Sequence, residues 1–530
     1  MRIIRFVAAP GLAAVMAAAV GLSPGVLAAN PPGYTVSDVG AYGGEPSIVS
    51  DNAGRLYDTT PSGGTITYRS INQGATWSQV ATADPNSGDD CLATDQANAV
   101  YLCNLAGSQG AAPLQADVWK SVTQGDSWTH GAGAIPQCAT SCSPFGVDRD
   151  WVAASILPPA TSTSQAEVVL MYHDFYGPSQ IWVNISHDGG ATFGAPREVL
   201  ASPAVTRGAV TGTLVAQGYT FCNTVPAGVG IVPPGVPHAG RIFVAWIAAD
   251  LAQNATGCNV TMLQSFHTLW ISYSDDGGNT WTPQQAFDAG FGHDSSTPFV
   301  GFTLDKVGNP YFGFTVNLRS NPATCSAEST AGTVQSDPSC EYDMYVIWSS
   351  NGGLTWDGGG GLVPGSAATA YRVNSPAETG THFFPAIAAG DPGKVDVAYL
   401  RTNEIVPTDP LGKADPGGCA GPGNGNPTTY PPTCSWNLYA AQSVNLGMGT
   451  SRATWTVSQI TTTPMHVGDI CNLGIFCIPG TSSNRNLLDF ITEDLDPNGC
   501  AHIAYADDNT VNKLRAANQT SGVCILTKKK

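Results

Sequence analysis

Twelve charged or imidazole side chains stand just ahead of apolar, strand-like runs: Glu45, Asp89, Asp90, Asp148, Arg149, Asp150, Arg207, His293, Asp294, His382, Arg485 and Asp489. Guanidinium groups bind carboxylates as bidentate forks. Arg149, Arg207 and Arg485 precede three different runs, so a shared anion is within their reach if those runs converge. Two carboxyl groups drawn from Asp90, Asp148 and Asp294 are the alternative. Such a pair hydrolyses a glycoside at a separation of about 5–5.5 Å with retention, or roughly 6.5–9.5 Å with inversion. The stretch "MYHDFYG" adds Tyr172, His173, Asp174 and Tyr176. Each of these also has a structural reading. Asp148 and Asp150 can neutralise Arg149 as a bridge between elements, His173 and His382 can pack against aromatics, and Asp489 can cap the turn before Phe490.

The elements that would bring these residues together repeat along the chain. "EPSIVSDNAGRLY" (45–57), "DDCLATDQANAVYL" (89–102), "TPFVGFTLDKVGNPYFGF" (297–314), "FPAIAAGDPGKVDVAY" (384–399) and "LDFITEDLDPNGCAHIAY" (488–505) share one pattern, and 148–172 is the same unit with a longer turn. Each is an alternating strand, an Asp/Asn/Gly turn and a second strand, the signature of a β-hairpin. Asp51, Asp95, Asp305, Asp391 and Asp496 fall in those turns and read as local turn formers. A third strand follows, as in "QIWVNIS" (180–186), "TLWISYS" (268–274) and "DMYVIWS" (343–349), and then an octapeptide. It reads SDDGGNTW at 274–281, with copies at 70–77, 121–128, 186–193 and 349–356 and a decayed relative at 443–455. Four antiparallel strands repeated around a chain make an all-β propeller. Seven hairpin starts predict seven blades, with six as the alternative. "YTVSDVG" (34–40) is positioned to complete the last blade. The Pro/Gly/Cys-rich stretches 216–240, 318–342 and 402–436 read as loops over one face.

The octapeptide resembles the Asp-box, or BNR repeat, of secreted sialidases. That resemblance implies that the boxes are folded turns on the outer rim, with Gly at positive φ and the aromatic packed between sheets. It also implies a sialidase-like glycoside hydrolase acting on extracellular glycans: Arg149, Arg207 and Arg485 holding an anionic sugar, His293, Asp294 and His382 lining its site, Asp148 or Asp174 as acid/base, and Tyr172 or Tyr505 as nucleophile. One position departs from the family. Glu45, in Gly44-Glu45-Pro46-Ser47-Ile48, stands where the first arginine of the family is expected. A non-catalytic extracellular propeller that binds glycans or proteins is therefore the competing expectation.

Composition sets the surroundings. With 61 Gly, 38 Pro and 12% charged residues, the chain suits short strands and turns rather than helical bundles. Residues 1–28 read as a secretory signal: Arg2 and Arg5, an apolar Ala8–Val20 core, and a small-residue cleavage site after Ala28. Residues 29–526 then form one propeller domain, 527–530 a basic tail, and the protein is expected outside the cell. Fourteen cysteines in local pairs, among them Cys91/Cys103 and Cys500/Cys524, fit disulfide staples. Net charge is −18, which argues against nucleic acid and anionic membranes as partners. No further segment is long and apolar enough to span a bilayer. Carbohydrate is the expected partner, and no cofactor is expected. A carboxylate-rich mouth can take a structural Ca²⁺, although no Asp-x-Asp-x-Asp loop is present.

Overall fold

The computed structural model describes residues 30–527 apart from 62–63, 107–114, 132–146, 175–180, 201–213, 217–218, 252–265, 291–292, 294, 320–341, 359–368, 377, 379, 403–434, 449–451, 469, 471–485 and 510–512. Seven antiparallel sheets form a propeller. The innermost strands of blades one to seven are Ser47–Ser50, Ser87–Thr94, Val147–Ser155, Tyr219–Ile231, Gly301–Leu304, His382–Ala389 and Thr492–Leu495. Each touches the next, and the seventh returns to touch the first. The N-terminal strand Gly33–Asp38 pairs with Lys513–Ser521 and supplies the fourth strand of blade seven, as the "YTVSDVG" pattern predicts.

Side-chain alternation explains why the blades stack. In the second strand of blade three, Val168, Leu170 and Tyr172 enter the core shared with blade two. Val169 and Met171 enter the core shared with blade four. A sheet buried on both faces needs an almost continuous apolar run, which is what "EVVLMY" provides. Seven hydrophobic clusters result, one per seam between adjacent blades. Truncating a residue such as Leu170 to alanine would cost about 2–5 kcal/mol.

Blade four corrects the expected loop at 216–240. Residues Tyr219–Ile231 form a 13-residue inner strand there. Pro226 and Gly228 made the segment read as loop, but they flank a bulge on the edge that faces the axis. An edge strand tolerates a proline because no neighbour claims the missing N–H. Arg207, the expected start of this unit, lies outside the described residues, as do residues 1–28.

The octapeptides connect third and fourth strands on the rim. In each, the opening Ser accepts the amide of the fifth residue, as Ser274 Oγ does from Gly278 N at 2.8 Å. The third residue accepts the amide of the seventh, as Asp276 Oδ1 does from Thr280 N at 2.9 Å. The glycine takes positive φ, between 80° and 88° across the five copies. The decayed copy keeps the chemistry over a longer span, with Asn445 Oδ1 accepting Thr454 N at 2.9 Å. Three of the turns are tied to the preceding blade by arginines. Arg69 reaches Gln124 O, Arg197 reaches Gly278 O and Arg241 reaches Gly352 O, at 2.7, 3.1 and 2.7 Å.

At the turns of the inner hairpins, Asp51, Asp95, Asp305 and Asp496 each accept the amides two and four residues on. Asp391 instead collects Lys306, Lys394 and Thr527, so the C-terminal segment is fixed as far as Thr527. Disulfides join Cys91 to Cys103 and Cys500 to Cys524, as local pairing predicts. The remaining predicted pairs each include at least one cysteine outside the described residues. Two glycosylation sequons are structural: Asn184 and Asn518 are buried, and their side chains bond Gly194 O and His502.

Candidate functional site at the hub

The inner strands begin with a shared local device. Glu45, Arg149, Phe384 and Leu488, at the starts of blades one, three, six and seven, hold φ values of 48°, 58°, 50° and 56°. Left-handed backbone at a branched or long side chain costs about 1–3 kcal/mol unless the surroundings impose it. Bulges fall at the same level in blades two, three and six, at Ser87/Asp90, Asp148/Asp150 and Phe383/Ala386. Bulges and left-handed residues re-aim side chains, and here they bring charged groups from four blades together.

Arg149 is the centre of that group. Its Nη2 lies 3.2 Å from Asp89 Oδ2 and 3.9 Å from Glu45 Oε2. Neither approach has hydrogen-bond geometry, and no nitrogen of the guanidinium has a hydrogen-bond partner among the described residues. Phe490 packs against the guanidinium, with Cζ 4.4 Å from the ring centroid, and Trp151 and Phe299 follow at 5.6 and 5.9 Å. Arg149 and Glu45 expose only 3% and 1% of their surface, whereas the Asp89 side chain exposes 26%.

The electrostatics split the carboxyl groups. Burial, then the neighbouring Asp89 and Asp489 carboxylates, push Glu45 well above the usual carboxylate range, and Arg149 offsets this only in part. Burial does the same to Asp90 and Asp58. Arg149 is moved up despite its burial, because Asp89, Glu45, Asp150 and Asp489 outweigh the loss of water. The hub therefore holds a buried carboxyl group whose titration is pushed upward, beside the part-exposed side chain of Asp89.

The other residues singled out in the sequence lie elsewhere or are not described. Tyr172 is buried between blades two and three, and its hydroxyl donates to Asn184 at 2.6 Å. Tyr505 is buried between blades six and seven. His382 Nδ1 meets Tyr342 O at 2.8 Å, its Nε2 is 3.8 Å from Glu378, and its ring packs 5.2 Å from Tyr399. His293 Nδ1 meets Asn317 O at 3.2 Å. Asp148 and Asp174 lie on the first two strands of blade three, with side chains outside the described residues. Arg207, Asp294 and Arg485 are also outside them, so Arg149 alone represents the expected arginine triad. Among the described residues no group of three or more His, Cys, Asp or Glu is arranged to hold a metal ion.

Sequence reasoning placed Glu45 and Asp89 at the mouth without giving them a role, and offered Asp90 for a carboxyl pair, Asp150 as a bridge to Arg149 and Asp489 as a turn cap. It missed the aromatic set. Trp151 and Phe490 each stand two residues beyond a left-handed residue, and Phe299 occupies the corresponding place in blade five. Below this layer a cavity of about 340 Å³ runs between all seven inner strands, lined by Ile48, Leu92, Val152, Val229, Phe302 and Ile387 among others.

Fold and site together define the class: a seven-bladed β-propeller with an acidic, aromatic-lined hub. No family model matches the chain. Among solved structures, a polysaccharide lyase of family PL25, an ulvan lyase bound to -[GlcA(1-4)Rha3S]-, aligns with a TM-score of 0.46 and 11% identity over 92% of this chain and 94% of that one. An intramolecular trans-sialidase from Ruminococcus gnavus gives 0.36 and 12% over 92% and 97%. The Penicillium chrysogenum alpha-L-arabinanase gives 0.37 and 13% over 70% and 93%. Scores and identities this low carry no inference about what this chain binds or cleaves.

Proposed function

We propose that the protein is a secreted, glycan-acting propeller that hydrolyses glycosides at the hub. Glu45 is the general acid and Asp89 the partner carboxylate, while Arg149 fixes both. The observation that supports this most is the convergence of Glu45 and Asp89 on one guanidinium nitrogen, with the titration of Glu45 pushed upward. At 3.9 and 3.2 Å from that nitrogen, the two carboxyl oxygens are no more than 7.1 Å apart. That bound overlaps the spacings at which carboxyl pairs cleave glycosides, about 5–9.5 Å. A buried carboxyl group whose titration is pushed upward, beside a second one that is part-exposed, suits a division of acid and base roles. The octapeptides, on this reading, are Asp-boxes that hold the scaffold and take no part in the chemistry.

The test is release of 4-methylumbelliferone from a panel of its glycosides. The wild-type protein is expected to cleave at least one. Glu45→Gln should lower kcat by at least about 100-fold, the usual weight of a general acid, and remove the alkaline limb of the pH–rate profile. A wild-type protein that cleaves none, or a fully active Glu45→Gln variant, would defeat the assignment. The deep burial of Glu45 and Arg149 favours a second reading, a glycan-binding propeller without turnover. Retention on a glycan array with no release would select it.

A further inference from the structure

Hub charge restricts what such a site can accept. Four carboxyl groups, from Glu45, Asp89, Asp150 and Asp489, act on Arg149 from blades one, two, three and seven. Asp90 adds a fifth on blade two. Against them, among the described residues, stands one guanidinium, already within 3.2 Å of Asp89. Burial pushes Glu45 and Asp90 toward the neutral form, so an incoming sugar carboxylate or sulfate would meet Asp89, Asp150 and Asp489 around that guanidinium, in surroundings shielded from water where like charges repel strongly. It would also have to compete with Asp89 and Glu45 for the same fork. The uncharged lining of the hub includes the part-buried rings of Trp151 and Phe299 and the buried ring of Phe490 between them, with Trp151 and Phe490 centroids 5.5 Å apart and Phe299 and Phe490 6.3 Å apart. Such rings suit the C–H face of a neutral sugar.

Arg372, Arg319, Arg401 and Arg241 do not relieve the imbalance among the described residues. Arg372 is held by Asp343 in blade five, and Arg319 Nη1 lies 3.5 Å from the same carboxylate. Arg401 Nη1 lies 3.5 Å from Glu378 in blade six. Each of these cations already has a carboxylate within ion-pair distance. Arg241 pairs with Asp275 at 2.7 Å on the rim.

We infer that the sugar taken at the hub is neutral, and that uronates, sialates and sulfated sugars are excluded by the carboxyl groups surrounding Arg149. This rests on the hub being the glycan site. It departs from the anionic sugar that the sialidase resemblance implies.

Matched ligands test it. Gluco- and galacto-oligosaccharides would be titrated calorimetrically against oligogalacturonate and sialyllactose, and 4-methylumbelliferyl glucoside and galactoside compared with the glucuronide and the sialoside. The neutral members are expected to bind and react at least 10-fold better. Asp89→Asn removes one carboxylate beside Arg149, and its binding ratio of neutral to anionic ligand should shift at least 3-fold toward the anion. Preference for the anionic members would overturn the inference and leave the hub as the glycan site. A preference unmoved by Asp89→Asn would overturn charge as its cause. Absence of both binding and cleavage for every ligand would remove the glycan reading itself, and this inference with it.

Discussion

Rim and hub use the same unusual backbone conformation in opposite ways. On the rim, left-handed positions belong to glycine, apart from Gln73, Gln124 and Arg452, and the turn amides find acceptors in the opening Ser and the following Asp, Asn or Thr. At the hub the same conformation is forced on Glu45, Arg149, Phe384 and Leu488. There Arg149 and Asp58 keep polar atoms without hydrogen-bond partners among the described residues. Carboxyl groups follow suit. Asp276 on the rim is pulled down to about 2 by the Thr280 amide and hydroxyl and by Ser274. Glu45 at the hub is pushed up by burial and by its acidic neighbours. Strain and unsatisfied polar groups persist only where surrounding structure imposes them, and they mark functional sites more often than structural ones. The repeated motif that dominates the sequence is thus the satisfied part of the molecule.

Substitutions can break or sharpen that contrast. The largest effect is expected for Arg149→Met, which leaves Asp89, Glu45, Asp150 and Asp489 without their cation. Removing one partner of a buried ionic group costs about 3–5 kcal/mol, read as a drop in the urea midpoint. Next comes Gly353→Ala in the fifth octapeptide. Its φ is +85°, and a Cβ would sit 2.8 Å from Ile271 and 2.9 Å from Phe243. A loss of about 2–3 kcal/mol is expected. Gly235→Ala, at φ +82° with nothing within 4 Å, should cost only about 1 kcal/mol. Equal losses would show that packing between blades adds nothing to the rim turns.

A third effect is set by pH. Asp396 is buried between blades six and seven, where the Gln442 amide donates to it at 3.0 and 3.3 Å. Burial raises it to about 8, against the pull of that amide. The folded protein therefore holds a proton that the unfolded chain releases near pH 4. That stabilisation is complete below about pH 4 and disappears as pH rises through about 8. Stability should fall by roughly 2 kcal/mol between pH 5 and about pH 6.5 from this group, and Asp396→Asn should flatten the slope in a melting series. The smallest effect belongs to Asp126→Ala. The Asp126 side chain is 64% exposed and pairs with Arg69 at 3.0 Å, so a change below about 0.5 kcal/mol is expected.

Most of the architecture could be read from local pattern, because hairpin and octapeptide recur and each carries its own turn chemistry. Blade four hid behind Pro226 and Gly228, residues that only an axis-facing edge tolerates. The site was harder to read. Glu45 and Arg149 are 104 positions apart, and Arg149 and Phe490 are 341 apart. Their meeting follows from ring closure by the N-terminal strand, a long-range fact that no spacing records. Tyr172 looked available because it neighbours His173 and Asp174, yet strand alternation turns it into the core, where Asn184 takes its hydroxyl. Trp151, Phe299 and Phe490 were legible only once blade starts were aligned by their left-handed residue.

The central claim is that the hub works and the rim holds. It is tested most directly by measuring kcat/KM on the best glycoside substrate, together with melting temperature, for Glu45→Gln and Ser274→Ala side by side. The account predicts a near-normal melting temperature with activity lost at the hub variant. The rim variant, which loses the acceptor of the Gly278 amide, should melt about 1–2 degrees lower, for about 1–2 kcal/mol, and keep its activity. Full activity in Glu45→Gln, or activity lost in a Ser274→Ala protein that melts normally, would contradict it.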